Sequence, residues 1–257
     1  MIQADRIGVR IGARHLLDGV SLCLEPGTLT AVLGRNGAGK TTLLRAMTGD
    51  LAPDTGTVLL DGMRLHALAP RDLARRRAVL SQHHGLAFGL SVADVVALGR
   101  LPHRGTAAAR HDRDALAAVC AAFELEALWQ RAYPTLSGGE RQRVHLARAA
   151  AQLWRPGGDH AGQALFLDEP AAALDLAQQR FALRFARDMA RRGTMVMAVL
   201  HDPNHAADAD QVVMLRDGQV AAIGEAAAVL TAANIAHCFG VTVETVERAD
   251  GRRVFVA

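Results

Sequence analysis

Short apolar runs bounded by turn residues fill the first eighty or so positions of the chain. An N-terminal stretch and residues 20–24, 28–33 and 58–60 read as strands, the last of them stopping at Asp61-Gly62. One helical pattern interrupts them, directly after Gly39. Between about 83 and 155 the apolar spacing becomes helical, with segments that begin near Ser91, near Arg110 and after Ser137. Ser91 with Asp94 three positions on has the form of a capping box. From Ala164 onward strands and helices alternate again, over 164–167, 174–190, 195–200 and 211–215. Strand–helix–strand alternation predicts an α/β fold with a mostly parallel sheet, because a parallel connection needs a crossover helix. The expected organisation is a single domain over 1–257. An α/β core (about 1–82 and 156–240) opens on a strand-rich N-terminal part and is interrupted by a helical subdomain (about 83–155). A C-terminal hairpin (241–257) turns at Asp250-Gly251. The segment WRPGGDHAGQ, residues 154–163, reads as an exposed loop because its Pro and Gly residues break both helix and strand.

Composition narrows this picture. With 257 residues and 50% hydrophobic content the chain can bury a sizeable core. No apolar run approaches the roughly 18 residues of a membrane span, and the start MIQADRIGVR lacks a secretory hydrophobic stretch, so a cytoplasmic protein is expected. Cys23, Cys120 and Cys238 form no metal-spaced pair and read as buried free thiols. The net charge is +3 and aromatic residues make up 4%, with cations scattered through the sequence, so no nucleic-acid partner is expected. The identity of the cations says more than their sum. Among 29 Lys and Arg residues, Lys40 is the one lysine.

That lysine stands in GRNGAGKT, residues 34–41, a full match to GxxxxGK[ST] between a strand and a helix. Gly34, Gly37 and Gly39 let the backbone of Gly34, Arg35, Asn36, Gly37, Ala38 and Gly39 turn its N–H groups toward a phosphate at a helix N-terminus, where the dipole also favours an anion. Lys40 would reach the β- and γ-phosphates, and Thr41, followed by Thr42, would hold Mg²⁺. The planar fork of an arginine does not replace a compact ammonium there. Downstream, ALFLDEP (164–170) is a strand that ends in two carboxylates. Asp168 is placed for the Mg²⁺ shell and Glu169 for orienting or polarising a water. A third signal is LSGGE (136–140), where Ser137, Gly138 and Gly139 precede a helix and form a second phosphate-binding end.

In their order, P-loop, LSGGE and DEP resemble the ATP-binding subunits of ABC transporters. The resemblance implies the fold of that family, a P-loop ATPase core with an antiparallel N-terminal β subdomain and a helical subdomain. It also implies roles for Gln82 as a catalytic and Mg²⁺-side residue, for 172–175 with Asp175 as a loop at the partner's site, and for His201 as a switch histidine on the γ-phosphate. LGRNGAGKTTLLRAMTGDL, LSGGERQRVHLARAAAQLW, DEPAAALDLAQQ and HDPNHAADADQVVMLRDGQVAAIG are similar, more closely, to the hemin-importer ATPases, beside those of ferric-siderophore and cobalamin importers. This closer resemblance implies ATP and Mg²⁺ as cofactors and a head-to-tail homodimer in which the LSGGE of one copy covers the ATP of the other. It further implies two permease subunits, an indirectly acting substrate-binding protein, and a peripheral place on the cytoplasmic face of the inner membrane. The family's usual adenine-stacking aromatic is matched by Ile11.

Two other classes fit less well. A soluble ABC ATPase acting on ribosomes or DNA would carry two fused halves or a long coiled coil, and no heptad insertion is visible. A P-loop kinase for a small molecule would leave LSGGE and His201 unexplained. Arg75-Arg76-Arg77 and His83-His84 read as solvated surface.

Overall fold

The computed structural model describes residues 1–81, 89–172, 174–248 and 253–256. The N-terminal half runs β1 (Ile2–Ile11), β2 (Arg14–Leu24), β3 (Leu29–Leu33), α1 (Lys40–Thr48), β4 (Thr55–Leu60), β5 (Met63–Arg64), α2 (Pro70–Arg76) and β6 (Arg77–Leu80). Three helices follow, α3 (Val92–Ala97), α4 (Asp112–Ala122) and α5 (Gly138–Leu153). The chain then returns through β7 (Ala164–Asp168), α6 (Leu176–Arg191), β8 (Met195–Val199), β9 (Gln211–Arg216), β10 (Gln219–Glu225), α7 (Ala226–Val229) and α8 (Ala232–Phe239) to the pair β11 (Glu244–Glu247) and β12 (Arg253–Val256).

Among the described residues the strands form an antiparallel sheet in the order β2-β1-β4-β5, a six-stranded sheet in the order β10-β9-β3-β8-β7-β6, and the β11-β12 pair. In the larger sheet β9, β3, β8, β7 and β6 are parallel and β10 closes one edge antiparallel to β9. Every residue of β3, β7 and β8 is buried, which is what a parallel sheet covered on both faces demands.

Side-chain alternation divides these strands between two cores. Ala164 and Phe166 of β7, with Met195, Met197 and Val199 of β8, face α1 and the antiparallel sheet. Leu165 and Leu167, with Val196, Ala198 and Leu200, face the side covered by α3, α5 and α6. Fully burying a side chain such as Phe166 contributes roughly 2–3 kcal/mol. A one-residue slip of β7 would exchange the faces and empty both cores.

Several sequence expectations change here. Residues 154–163 are not uniformly exposed: His160 is buried, and its Nδ1 lies 2.8 Å from Gln163 Oε1 and 3.1 Å from the Leu153 carbonyl. The expectation failed because Pro and Gly report backbone breaks, not what a side chain between them packs against. Of the cysteines only Cys238 is buried; Cys23 and Cys120 are half-buried. The run Arg75-Arg76-Arg77 is paired, each guanidinium meeting a carboxylate, Asp72, Asp61 and Asp50 in turn, at 2.8–3.0 Å. His83, His84, Gln82 and the turn at Asp250-Gly251 lie outside the described residues.

Candidate active site

Parallel strands bring the chemistry-bearing segments to one end of the larger sheet. The glycine-rich loop leaves the C-terminal end of β3, Asp168 and Glu169 end β7, and His201 follows β8, with β8 lying between the other two. Ligands of open α/β sheets bind at this edge.

The loop of residues 34–39 is tight enough that side chains are forbidden at two points. A Cβ on Gly34 would stand 2.4 Å from the Leu215 carbonyl oxygen, and one on Gly39 2.6 Å from that of Leu16. Both residues also have positive φ, 150° and 102°. Gly39 is the N-cap of α1, so the first N–H groups of the helix open onto the loop. Lys40 is buried, and its Nζ donates to the Gly34 carbonyl at 2.7 Å and the Arg35 carbonyl at 3.0 Å. Burial lowers the pKa of the ammonium, against the pull of Glu169 and Asp168.

A cavity of about 500 Å³ lies over this loop, lined by Arg14, Leu16, Asn36, Gly37, Gly39, Lys40, Thr41, Thr42, Glu169 and His201. It brings together the P-loop, the second carboxylate of DEP and the histidine. His201 Nε2 lies 2.5 Å from Glu169 Oε1. Glu169 itself has φ 54°, in the left-handed region, which costs a non-glycine residue about 1 kcal/mol or more and is found where function fixes the backbone. Its N–H donates to the Val199 carbonyl at 3.1 Å, tying the turn to β8.

Asp168 is buried beneath these groups, and its Oδ1 has no hydrogen-bond partner. Burial and the neighbouring Glu169 raise its pKa, while the Thr41 hydroxyl, Lys40 and His201 pull the other way. An orphaned carboxylate oxygen beside a threonine hydroxyl fits Mg²⁺, a hard cation that takes one or two protein ligands and completes its shell from phosphates and water.

The LSGGE motif lies elsewhere. Ser137 caps α5 in a full capping box, with the Ser137 N–H donating to Glu140 Oε2 at 2.7 Å and the Glu140 N–H to Ser137 Oγ at 3.3 Å. Ser137 and Gly138 are exposed, and none of Ser137, Gly138 and Gly139 lines the P-loop cavity. Asp175 is the N-cap of α6, accepting from the Gln178 N–H at 2.8 Å. The two motifs are neighbours: a Cβ on Gly139 would stand 3.0 Å from Gln178 Cγ, and Gln142 Nε2 donates to the Pro170 carbonyl at 3.0 Å.

Sequence reasoning missed two residues that line the cavity, Arg14 and Leu16. Ile11 is 70% exposed at the end of β1, and the wall is built by Arg14 and Leu16 from the start of β2. The register, with Ile11 opposite Arg14, carries these residues back over the loop, and only the fold reveals it.

The family model described as ABC transporter matches residues 17–172, well over half of the chain. The chain is 45% identical over 244 residues to the hemin import ATP-binding protein HmuV of Pseudomonas entomophila, an alignment covering 95% of this chain and 94% of that relative. A solved ABC transporter of metal-chelate type, in an inward-facing conformation, superposes with a TM-score of 0.81 at 27% identity, covering 99% of this chain and 96% of the other. The dimeric ATP-binding cassette MJ0796 bound to ADP and Pi has the same fold, with a TM-score of 0.74 at 23% identity over 88% of this chain and 99% of that one. The chain belongs to the ABC transporter family, as one of its ATPases.

Proposed function

We propose that this protein is the ATP-hydrolysing subunit of a membrane importer for hemin and works as a head-to-tail pair on the cytoplasmic face of the inner membrane. Two permease subunits would receive the pair, and a substrate-binding protein would deliver the cargo to them. The observation that carries the reading is the 2.5 Å contact of His201 with Glu169 in the wall of the P-loop cavity. In this reading Glu169 is the base and His201 the switch residue beside the γ-phosphate of ATP.

In this reading the amides of the 34–39 loop and the α1 N-terminus hold the phosphates, and Lys40 exchanges its loop carbonyls for the β- and γ-oxygens. Thr41 and Asp168 would hold Mg²⁺, and the family pattern gives Gln82 a part in the same task. Bound there, the ion would supply neutralisation of phosphate charge. Glu169 orients and polarises the water, and His201 holds the γ-phosphate and the carboxylate in register. Arg14 and Leu16 form the wall against the base and ribose.

The exposed LSGGE supports the pairing. Ser137, Gly138 and Gly139 present a capped helix N-terminus outward, and a second copy supplies the ATP it would cover. Closure on ATP and opening after hydrolysis then form a two-state element that both nucleotide and permease bias. Among the described residues no helix is long and apolar enough to cross a membrane, so the passage itself would belong to the permease chains.

The cargo reading rests on the relatives named for hemin import. It is tested by ATP hydrolysis of the subunit reconstituted with its permease in liposomes, with hemin-loaded, ferric-siderophore-loaded or empty binding protein outside. Stimulation by the hemin-loaded protein alone is expected. Stimulation only by a siderophore-loaded protein would keep the phosphate site and overturn the cargo.

A further inference from the structure

Twelve positions apart on either side of LSGGE, Tyr133 and His145 share a hydrogen bond of 2.6 Å between the phenolic oxygen and Nε2. Both are buried, at 4% and 1% exposure, and their rings meet edge to face with centroids 5.4 Å apart. A buried hydroxyl and imidazole cost free energy to desolvate, and two apolar residues of the same shape would fill the core about as well. What the polar pair adds is direction.

That direction falls on the motif. Tyr133 begins the turn of residues 133–135 that leads into Leu136 and Ser137, and His145 lies two turns into α5. Their bond closes the segment that contains LSGGE into a loop fixed at both ends. Tyr133 is anchored from outside as well, its N–H donating to the Leu90 carbonyl at 2.8 Å, while the Val92 N–H donates to the Arg131 carbonyl at 3.0 Å. Arg141 lies over the Tyr133 ring at 5.8 Å and donates to the Pro134 carbonyl at 2.7 Å. Ser137 and Gly138, exposed at the tip, take their position from this frame.

We propose that Tyr133 and His145 are positioning residues: their buried hydrogen bond sets where the LSGGE of one copy stands and so how well it completes the ATP site of the next copy. The proposal rests on the head-to-tail reading above. Neither residue touches the P-loop cavity of its own chain, so binding of nucleotide to a single copy should not depend on them.

The test uses the full chain carrying Glu169→Gln, titrated with Mg-ATP, with dimer formation followed by light scattering and binding to the single copy by a fluorescent ATP analogue. Tyr133→Phe and His145→Leu are each expected to raise the ATP concentration for half-maximal dimer formation roughly tenfold, the scale of one orphaned buried polar group. Nucleotide affinity of the single copy should stay within about twofold of the parent. His145→Gln, which keeps a polar partner for the hydroxyl, should dimerise like the parent. The double variant Tyr133→Phe with His145→Leu removes both polar groups; it should recover the parent's melting temperature without recovering dimer formation, which a purely stabilising bond would not produce. Parental dimerisation by the double variant would overturn the proposal. So would His145→Gln as impaired as His145→Leu, or nucleotide affinity lost in step with dimerisation. Absence of an ATP-dependent dimer in the Glu169→Gln parent would instead overturn the head-to-tail reading on which the proposal stands.

Discussion

The Nε2 atom of His201 and the Oε1 atom of Glu169 lie 2.5 Å apart, joining the segment after β8 to the segment after β7 across two adjacent parallel strands. The contact makes one unit of the carboxylate proposed to activate water and the histidine beside it. Glu169→Gln keeps the shape and removes the proposed base. Its hydrolysis rate should fall by about 100-fold or more while ATP binding stays near the parental value, measured by phosphate release and by equilibrium binding. A Glu169→Gln variant that hydrolyses ATP at the parental rate would remove this carboxylate from the mechanism.

Arg14 enters the P-loop cavity from the start of β2, and Leu16 follows it on the same wall. A guanidinium there would interact with a purine face or with phosphate charge in the ground state and the transition state alike. Arg14→Ala should therefore raise KM for ATP by roughly three- to tenfold and leave kcat nearly unchanged, since uniform binding does not alter the chemical step. Steady-state kinetics would count against this placement of Arg14 if kcat fell and KM stayed put.

In the helical part, Arg100 is 4% exposed and meets Asp112 at 2.8 Å, while its Nη1 donates to the Ala151 carbonyl at 2.7 Å. It thus ties α4 to the C-terminal end of α5, where cations are favoured. Arg100→Ala takes the charged donor from Asp112 and leaves the Ala151 carbonyl only the Trp154 N–H at 3.3 Å, and should destabilise the chain by about 2 kcal/mol. A urea titration showing a loss under about 1 kcal/mol would mean that water or a neighbouring donor replaces the guanidinium.

A pH dependence arises from Asp210. Burial raises its pKa, but the hydrogen bond and charge of Arg187 and the Leu29 N–H outweigh that, and the carboxyl ends below its usual value. Arg187 Nη1 lies 2.6 Å away and the Leu29 N–H donates at 2.7 Å. Because the folded pKa is the lower one, the contribution is complete above the unfolded value of about 3.9 and is lost as pH falls through the folded one. Asp210→Asn should lower the melting temperature at pH 7, and the gap to the parent should close as acidification carries the pH below the unfolded value of about 3.9 and through the lower folded one. A gap between the two that widens on acidification would contradict this pairing.

Strands buried on both faces were legible because they are continuous apolar runs: ALFLD needs no partner to be read as a central strand. The P-loop and the capped helix after Ser137 were legible for a related reason, since their chemistry is local to a few consecutive positions. Arg14 and Leu16 were not, because their place in the cavity depends on how the β1-β2 hairpin folds back over the loop. His160 was misread because flanking Pro and Gly residues dominate the local pattern, while the side chain between them is buried by contacts with Leu153 and Gln163. Tyr133 and His145 carry no local signal at all. Their meaning lies in a bond that spans the very motif that drew notice.

The most direct test of the central claim is a cross-link between copies. With Cys23, Cys120 and Cys238 replaced, cysteines at Asn36 and Ser137 would place one thiol on the P-loop and one on the LSGGE cap. Head-to-tail pairing predicts a dimer joined by disulfides between the P-loop of one copy and the LSGGE of the other, formed only when Mg-ATP is present in the Glu169→Gln background. A chain that stays monomeric under those conditions, or that cross-links equally without nucleotide, would contradict an ATP site shared between two copies.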